Sequence, residues 1–402
     1  MKKLFCLVLC LCLLTVGCGP KAPDGTPAGT EPNDTPAQTA PQPSEASGAR
    51  IRSLDTDPDR ESVWLALAEE YGRLTGVEVS LMTSEAAPLS LEEDWTPTIF
   101  TVSSQAQGND LEPYCLNLSG QPVCNQLLSG NFSLRYGDKI LGISAKTEFF
   151  GLVYSTSLLA RAGYTRADIQ SIADLAAIVG DISENRKALG FAAFACPDLS
   201  NTDAQSFAAL FGSVPADLRD FWDLYIQNAA CSQAEIAARA TSGGLEELLE
   251  GEAVFYLAGA NDYEKFRAMQ DHELGMIPIF FESANQQSQG LCAVDTDYWC
   301  VHANAAEADQ QAALAFLNWL VVPRQDGTVP VDAFCQMAPY RLATFADGPL
   351  ETAARAELLS GKQAVICDRF AGSVEELSQA LATYAADPSD ANWAAVEQIR
   401  KG

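Results

Sequence analysis

The chain has 402 residues, 48% apolar and 19% charged, which is ordinary globular material, and a formal net charge of −28. That charge argues against a nucleic-acid partner, which needs a basic face, and against electrostatic docking on anionic lipid. About 350 residues follow the N-terminal tail, too many for one simple core and enough for two lobes.

Lys2 and Lys3 precede an apolar stretch of about 14 residues, short of the ~20 that a spanning helix needs. That is the profile of a secretory signal. It ends in "LTVGC", with Gly17 before Cys18 and Gly19-Pro20 after it. This resembles the lipobox of bacterial lipoproteins, in which the cysteine thiol receives a diacylglycerol and the signal is cut just before it. The family prefers Leu three residues before the cysteine; here that place is Thr15, with Leu14 one step earlier. The resemblance implies a signal peptide over 1–17, a lipidated Cys18 and a protein held at the extracellular face of the cell membrane. Ordinary secretion is the other reading. Cys6, Cys10 and Cys12 are then apolar residues of a discarded segment. Residues 18–49 are dense in Pro, Thr, Ala and Gly and poor in large apolar side chains. Such a segment cannot offset its ordering entropy, so it reads as a disordered tether, or as a tail with no role.

"ARIRSLDTD" reads as a first strand, with Asp57 capping a helix that has Pro58 at its first position. Trp64, Leu67, Ala68, Tyr71 and Leu74 recur at helical spacing, and Gly76 ends that helix. "VEVSLM" and "TPTIFTV" read as strands, the second buried. Strand, helix, strand and buried strand predict α/β layering with a largely parallel sheet. Ser171 and Asp174 open a capping-box helix, and helical patterns dominate to about Leu249. "AVFYLAG", "ELGMIPIF" and "DYWCVHA" read as strands, "EADQQAALAFLNWLVV" as a strong helix, and the tail after Pro339 as mostly helical. No internal repeat is present.

Eight cysteines follow Cys18: Cys115, Cys124, Cys196, Cys231, Cys292, Cys300, Cys335 and Cys367. An exported chain with an even number points to disulfides. Zinc is the rival, but no CxxC pair exists and the only histidines are His272 and His302. Short loops favour Cys115 with Cys124 and Cys292 with Cys300; Cys196 with Cys231 and Cys335 with Cys367 follow by the same rule.

Several motifs fail. Asp55, Asp57 and Asp59 begin a calcium-loop pattern, but Arg60 and Ala66 stand where Gly and Glu are required. No phosphate loop, HExxH helix or GxSxG elbow occurs, and no metal or cofactor is expected. Two histidines outside any motif speak against a Ser-His-Asp mechanism. The 53 acidic residues offer many carboxylate pairs, as any acidic protein would, so a glycosidase signal is close to nil.

At "GDKILGISAKTEFFGLVYSTSLLARAGY", Gly137 to Tyr164, the chain resembles the extracellular solute-binding proteins of ABC transporters, nearest to the maltose- and oligosaccharide-binding group. The pattern is a "G-K-x-Y-G-x-P" hairpin, an acidic or aromatic residue, "G-L-x-Y-N", and a helix ending in "A-G". Asp138-Lys139, Gly142, Glu148, Gly151-Leu152, Tyr154 and Ala162-Gly163 fill it, with Ser144 for the usual Pro and Ser155 for the usual Asn. "WLALAEEYGRLTGVEV", "TPTIFTV", "GGLEELLEGEAVFYLAGANDY", "EADQQAALAFLNWLVV" and "MAPYRLA" resemble further family motifs in order along the chain.

The resemblance implies an α/β, two-lobed periplasmic-binding-protein-like fold with a hinge and an interlobe ligand cleft. Lobe one would be 50–150 plus 278–325 and lobe two 151–277 plus 326–402, with "GLVYS" and "LGMIPI" as crossings. It implies a monomeric binder, not an enzyme. Its partners would be a small solute, a sugar or oligosaccharide, and the permease subunits of an importer. An anchored glycan hydrolase and a sensory receptor of the same fold are the alternatives. Glu148 would sit just before the first crossing, where a carboxylate can accept two hydrogen bonds from a sugar. Asn261 falls where the family places a stacking aromatic. Tyr298 and Trp299 flank Cys300, one facing inward and one outward. Asp57 and Asp59 follow the first strand, where α/β clefts open. Tyr340 and Arg341 resemble the cleft-rim turn, and Phe370 is a further candidate.

Overall fold

The computed structural model describes residues 49–55, 60–83, 97–103, 105–197, 199, 218–238, 244–259, 274–279, 290–334, 337–344, 349–360, 365–367 and 372–400. Ten strands lie in one sheet: β1 Arg50–Asp55, β2 Glu78–Thr83, β3 Ile99–Val102, β4 Ser133–Tyr136, β5 Lys139–Ser155, β6 Ala192–Phe194, β7 Ala253–Gly259, β8 Leu274–Ile277, β9 Cys292–Val301 and β10 Val365–Cys367. Eight helices of seven residues or more are described. They are α1 Glu61–Thr75, α2 Gln105–Leu111, α3 Ile172–Glu184, α4 Leu218–Gln227, α5 Glu307–Leu320, α6 Pro349–Leu359, α7 Val374–Ala386 and α8 Asp390–Arg400. No described helix is long and apolar enough to cross a membrane.

The main strand order is β2-β1-β3-β9-β5-β7-β6, with β10 on β9 and β4 and β8 on β5. The expectation of a largely parallel sheet is corrected. The β1–β2, β1–β3, β6–β7 and β9–β10 pairs are parallel, but β9 pairs antiparallel with β3 and β5, and β5 with β4, β7 and β8. The long strands β5 and β9 run in opposite directions through the middle of the sheet, which makes its centre antiparallel.

Local chemistry places the ends. Gly76, in the left-handed region at φ 76°, closes α1 as expected. The helix itself begins at Glu61 with Arg60 at its N-cap; the expected cap, Asp57, lies outside the described residues. Ser171 caps α3 by accepting from the Asp174 N–H at 3.1 Å, while the Asp174 carboxylate reaches back to the N–H of Gln170. β6, a short Ala-Ala-Phe run inside a stretch read as helical, and β10, in a tail read as mostly helical, escaped the sequence, and β9 begins at Cys292, five residues before the expected "DYWCVHA". Pairing with Thr147 and Lys146 of β5 holds Asp295 and Asp297 in a strand despite their poor strand propensity.

Three apolar clusters form the core. The first holds Trp64, Tyr71, Trp299, Phe316, Trp319 and Phe334. The second holds Phe194, Phe221, Trp222, Tyr225, Phe255, Tyr384 and Trp393. A smaller third joins Leu54, Phe100, Val102, Cys115, Leu134, Leu141, Tyr298 and Cys300.

The disulfide expectations meet this geometry unevenly. Cys196 and Cys231 are joined by a disulfide, with Cα atoms 5.5 Å apart. Cys292 and Cys300 cannot pair, because they are eight residues apart on the one strand β9. At ~3.3 Å per residue that separates them by about 26 Å, against a limit near 7 Å for a disulfide. Cys115 and Cys124 are also unbonded: the Cys124 thiol faces the Leu118 carbonyl oxygen at 3.3 Å, and Cys115 lies against β9. Cys335 and the Cys367 side chain lie outside the described residues.

Candidate functional site

From Leu141 to Ser155 every residue of β5 is buried except two, Lys146 and Glu148. They lie where the β5–β9 register slips. Ser144 faces Tyr298, Lys146 faces Asp297, Thr147 faces Asp295 and Glu148 faces Val294, with irregularities on both sides of Lys146. A bulge re-aims side chains and raises local twist, and bulges concentrate near binding sites. Here the slip is braced by the Ser144 and Thr147 hydroxyls, 2.7 Å apart, and by the Tyr340 hydroxyl, which donates to the Ser144 carbonyl.

A charged frame adjoins it. Asp55 ends β1, and Arg60 caps α1 immediately beyond. One nitrogen of Arg60, Nη2, donates to Asp55 Oδ1 at 2.8 Å and to Asp297 Oδ2 at 2.8 Å. Trp64, one turn into α1, donates its indole N–H to the other oxygen of Asp55 at 2.5 Å. All three charged groups are buried. Buried ions persist only when paired, and here Arg60 Nη2 pairs both carboxylates while tying β1, α1 and β9 together. It fixes Asp297 directly across the ladder from Lys146.

Glu148 is half-buried and makes no hydrogen bond or ion pair within the described residues, so its two oxygens stand available as acceptors. Together these groups can hold a polar solute by hydrogen bonds. Asp55 and Asp297 are both engaged by Arg60. Among the described residues no group of three or more His, Cys, Asp or Glu could hold a metal ion.

The structure separates the sequence-derived candidates. Glu148 is at the slip. Trp299 is not a cleft residue; it is fully buried, edge-on to Trp64 at 5.9 Å and to Phe334 at 5.5 Å. Tyr298 is on the opposite face and also buried, in the third cluster. Alternation therefore sends one ring into each core rather than one into solvent. Tyr340 is likewise buried at 1% exposure, not at a rim, because the Ser144 carbonyl takes its hydroxyl into the interior. Arg341 is exposed, with its N–H bonded to the Gln126 carbonyl at 2.7 Å. Asp57, Asp59, Asn261 and Phe370 lie outside the described residues, as does Cys18. Arg60, Lys146 and Asp297 were missed. A signal existed: Asp55 and Arg60 bracket the first strand–helix junction, and such junctions open onto α/β sites.

A family model described as bacterial extracellular solute-binding protein matches residues 66–327. No match to the chain is found among curated proteins. Solved structures are similar over 88% of this chain. One is a family 1 extracellular solute-binding protein from Alicyclobacillus acidocaldarius, at 14% identity, 97% coverage of that chain and a TM-score of 0.62. A second is RafE from Streptococcus pneumoniae in its apo-form, at 10% identity, 96% coverage and 0.60. A third is a sugar transporter from Rhizobium etli in an open conformation, at 13% identity, 98% coverage and 0.58. These likenesses fix the bilobed solute-binding architecture.

Proposed function

The chain belongs to the family of bacterial extracellular solute-binding proteins, and on that premise we propose that it is the lipid-anchored receptor of an ABC importer and captures a small carbohydrate. Members of the family bind solutes and are not enzymes. The observation that carries the reading is the pair of half-exposed charged residues, Lys146 and Glu148, in a strand otherwise buried from Leu141 to Ser155. The braced frame of Asp55, Arg60 and Asp297 stands beside them. A carboxylate and an ammonium side by side accept from and donate to the hydroxyls of one sugar ring. That a similar fold is described as a sugar transporter in Rhizobium etli supports the solute class.

In this reading lobe one comprises 50–150 plus 278–325 and lobe two 151–277 plus 326–402. The solute lies between them, and binding closes the lobes about a hinge. Cys18 carries the lipid and residues 18–49 are the tether. Arg341 is kept as a candidate contact at the rim.

The test is a thermal-shift screen of the full chain against sugars, amino acids and peptides, followed by calorimetry, since a ligand that binds only the native state raises the melting temperature. Glu148→Ala should weaken binding of the sugar found by about ten- to a hundred-fold, the worth of hydrogen bonds to a charged group. Unchanged affinity would return Glu148 to a plain surface carboxylate. A response to amino acids or peptides alone would remove the carbohydrate assignment, and turnover of the bound solute would overturn the receptor reading. For the anchor, Cys18→Ser should leave the membrane fraction or stay uncut; wild-type fractionation and mobility would refute it.

A further inference from the structure

The chemistry of the cysteines points to a cross-link that sequence spacing does not suggest. Beyond the end of β3, the segment around Cys115 lies antiparallel to the end of β9. The Leu116 N–H donates to the Val301 carbonyl and the Ala303 N–H to the Tyr114 carbonyl, each at 2.8 Å, which sets Cys115 opposite His302. Cys300 is two residues back on the same face of β9, so the two side chains are diagonal neighbours. The Cys115 side chain is near enough to Cys300 to help raise the pKa of its thiol. Both sit in the third apolar cluster, Cys115 at 8% exposure and Cys300 at 0%. The neighbouring strand leaves room for the sulfur: a Cβ on Gly142 would meet Cys300 Sγ at 2.7 Å.

We propose that Cys115 and Cys300 form a disulfide in the exported protein. The Cys196–Cys231 disulfide already marks this as a body that matures under oxidising conditions. Two thiols that share one buried cluster in such a compartment each have the other as a bonding partner.

The step balances by exchange with a disulfide-carrying oxidant, either an oxidoreductase or a low-molecular-weight disulfide. The Cys115 thiolate attacks a sulfur of the oxidant, whose other sulfur leaves as a thiolate. The Cys300 thiolate then attacks the Cys115 sulfur of the mixed disulfide and expels the second thiolate. The two cysteines lose two electrons and two protons, and the oxidant becomes a dithiol. Burial drives the Cys300 thiol well above its usual range, so it is no nucleophile in the folded body. The exchange therefore belongs to the folding chain, before β9 is covered. Once formed, the bond is out of reach of reductant. It closes a loop of about 185 residues, far longer than the one between Cys196 and Cys231, so it restrains the unfolded chain more.

The experiment is peptide mapping of the full exported chain, denatured and alkylated without reductant. A cross-linked peptide pair containing Cys115 and Cys300 is expected, beside the pair containing Cys196 and Cys231. In Cys300→Ser, Cys115 should become alkylated; in Cys124→Ser both should stay protected. Cys115→Ser, Cys300→Ser and the double variant should each lower the melting temperature by the same amount, on the order of 5–10 °C, because one bond is lost in all three. A Cys115–Cys124 cross-link, or alkylation of both Cys115 and Cys300 in wild type, overturns the proposal. So do additive melting shifts, which would mark two separately packed thiols. Mapping of wild type decides the matter even where a variant does not fold.

Discussion

On the β5–β9 ladder, the step pairing Ile143 with Trp299 and the step pairing Lys146 with Asp297, separated only by the Ser144–Tyr298 pair, have opposite surroundings. Ile143 and Trp299 are both fully buried, and the indole packs between Trp64 and Phe334. Beyond Ser144 the register slips, Lys146 and Asp297 face each other, and Arg60 pairs with Asp297. The backbone pairing is the same kind at both steps. What differs is the side chains and the irregularity that re-aims them. Stability belongs to the first step and, in the proposed function, recognition to the second, so that the bulge would let one strand carry both.

The sharpest way to break this comparison is at the aromatic step. Trp299→Ala should cost about 3–5 kcal/mol in a urea melt, the range for emptying a well-packed aromatic site. A loss under about 1 kcal/mol would show that Trp299 is not the core residue its burial indicates. Next comes the frame. Asp55→Ala strands the Trp64 N–H and removes one of the carboxylates that Arg60 bonds. Breaking a buried ion pair in this way should cost about 3 kcal/mol, against under ~0.5 kcal/mol for Glu148→Ala. Equal costs for the two variants would erase the distinction between a structural carboxylate and an available one.

The smallest effect concerns pH. Burial holds the His302 imidazole below its ordinary pKa, with Nδ1 accepting from the Asn304 N–H at 3.0 Å. The unfolded chain protonates this group at a higher pH than the folded one does. Its stability contribution is therefore complete above the unfolded value, near 6.5, and is lost as pH falls below it. Desolvation of the partly buried Glu247 and Asp332 raises them instead, so their contribution runs the other way and is lost as pH rises through the carboxylate range. The clean measurement is a difference: between pH 7.5 and 5.5, wild type should lose more stability than His302→Asn, which keeps an acceptor for Asn304. Parallel losses would exclude His302 as the source.

Much of the architecture was legible because it rests on local chemistry. The period of Trp64, Leu67, Ala68 and Tyr71, the stop at Gly76 and the run Ala253–Gly259 each specify their element unaided. The site was legible only in part. Glu148 could be found because a family pattern surrounds it. Arg60 and Asp297 are 237 residues apart in sequence, and their partnership exists only once β9 lies beside β3 and β5. The aromatic candidates failed for a related reason. Tyr298, Trp299 and Tyr340 looked like cleft residues by type, yet the sheet has a core on each face and takes all three inside. The short-loop rule for cysteines found Cys196–Cys231 and failed for Cys292 and Cys300, because loop length says nothing about two residues that share one strand.

The central position of β9 also bears on how the chain is delivered. An exported polypeptide emerges N-terminus first. β3 ends at Val102 and β5 at Ser155, but the strand that joins them does not begin until Cys292. Through most of translocation, then, two apolar strands wait with open hydrogen-bonding edges, the condition that invites misassembly. The sheet closes late and over long sequence separations, which makes folding slow by topology alone. The arrival of one ten-residue segment turns two waiting halves into a single sheet.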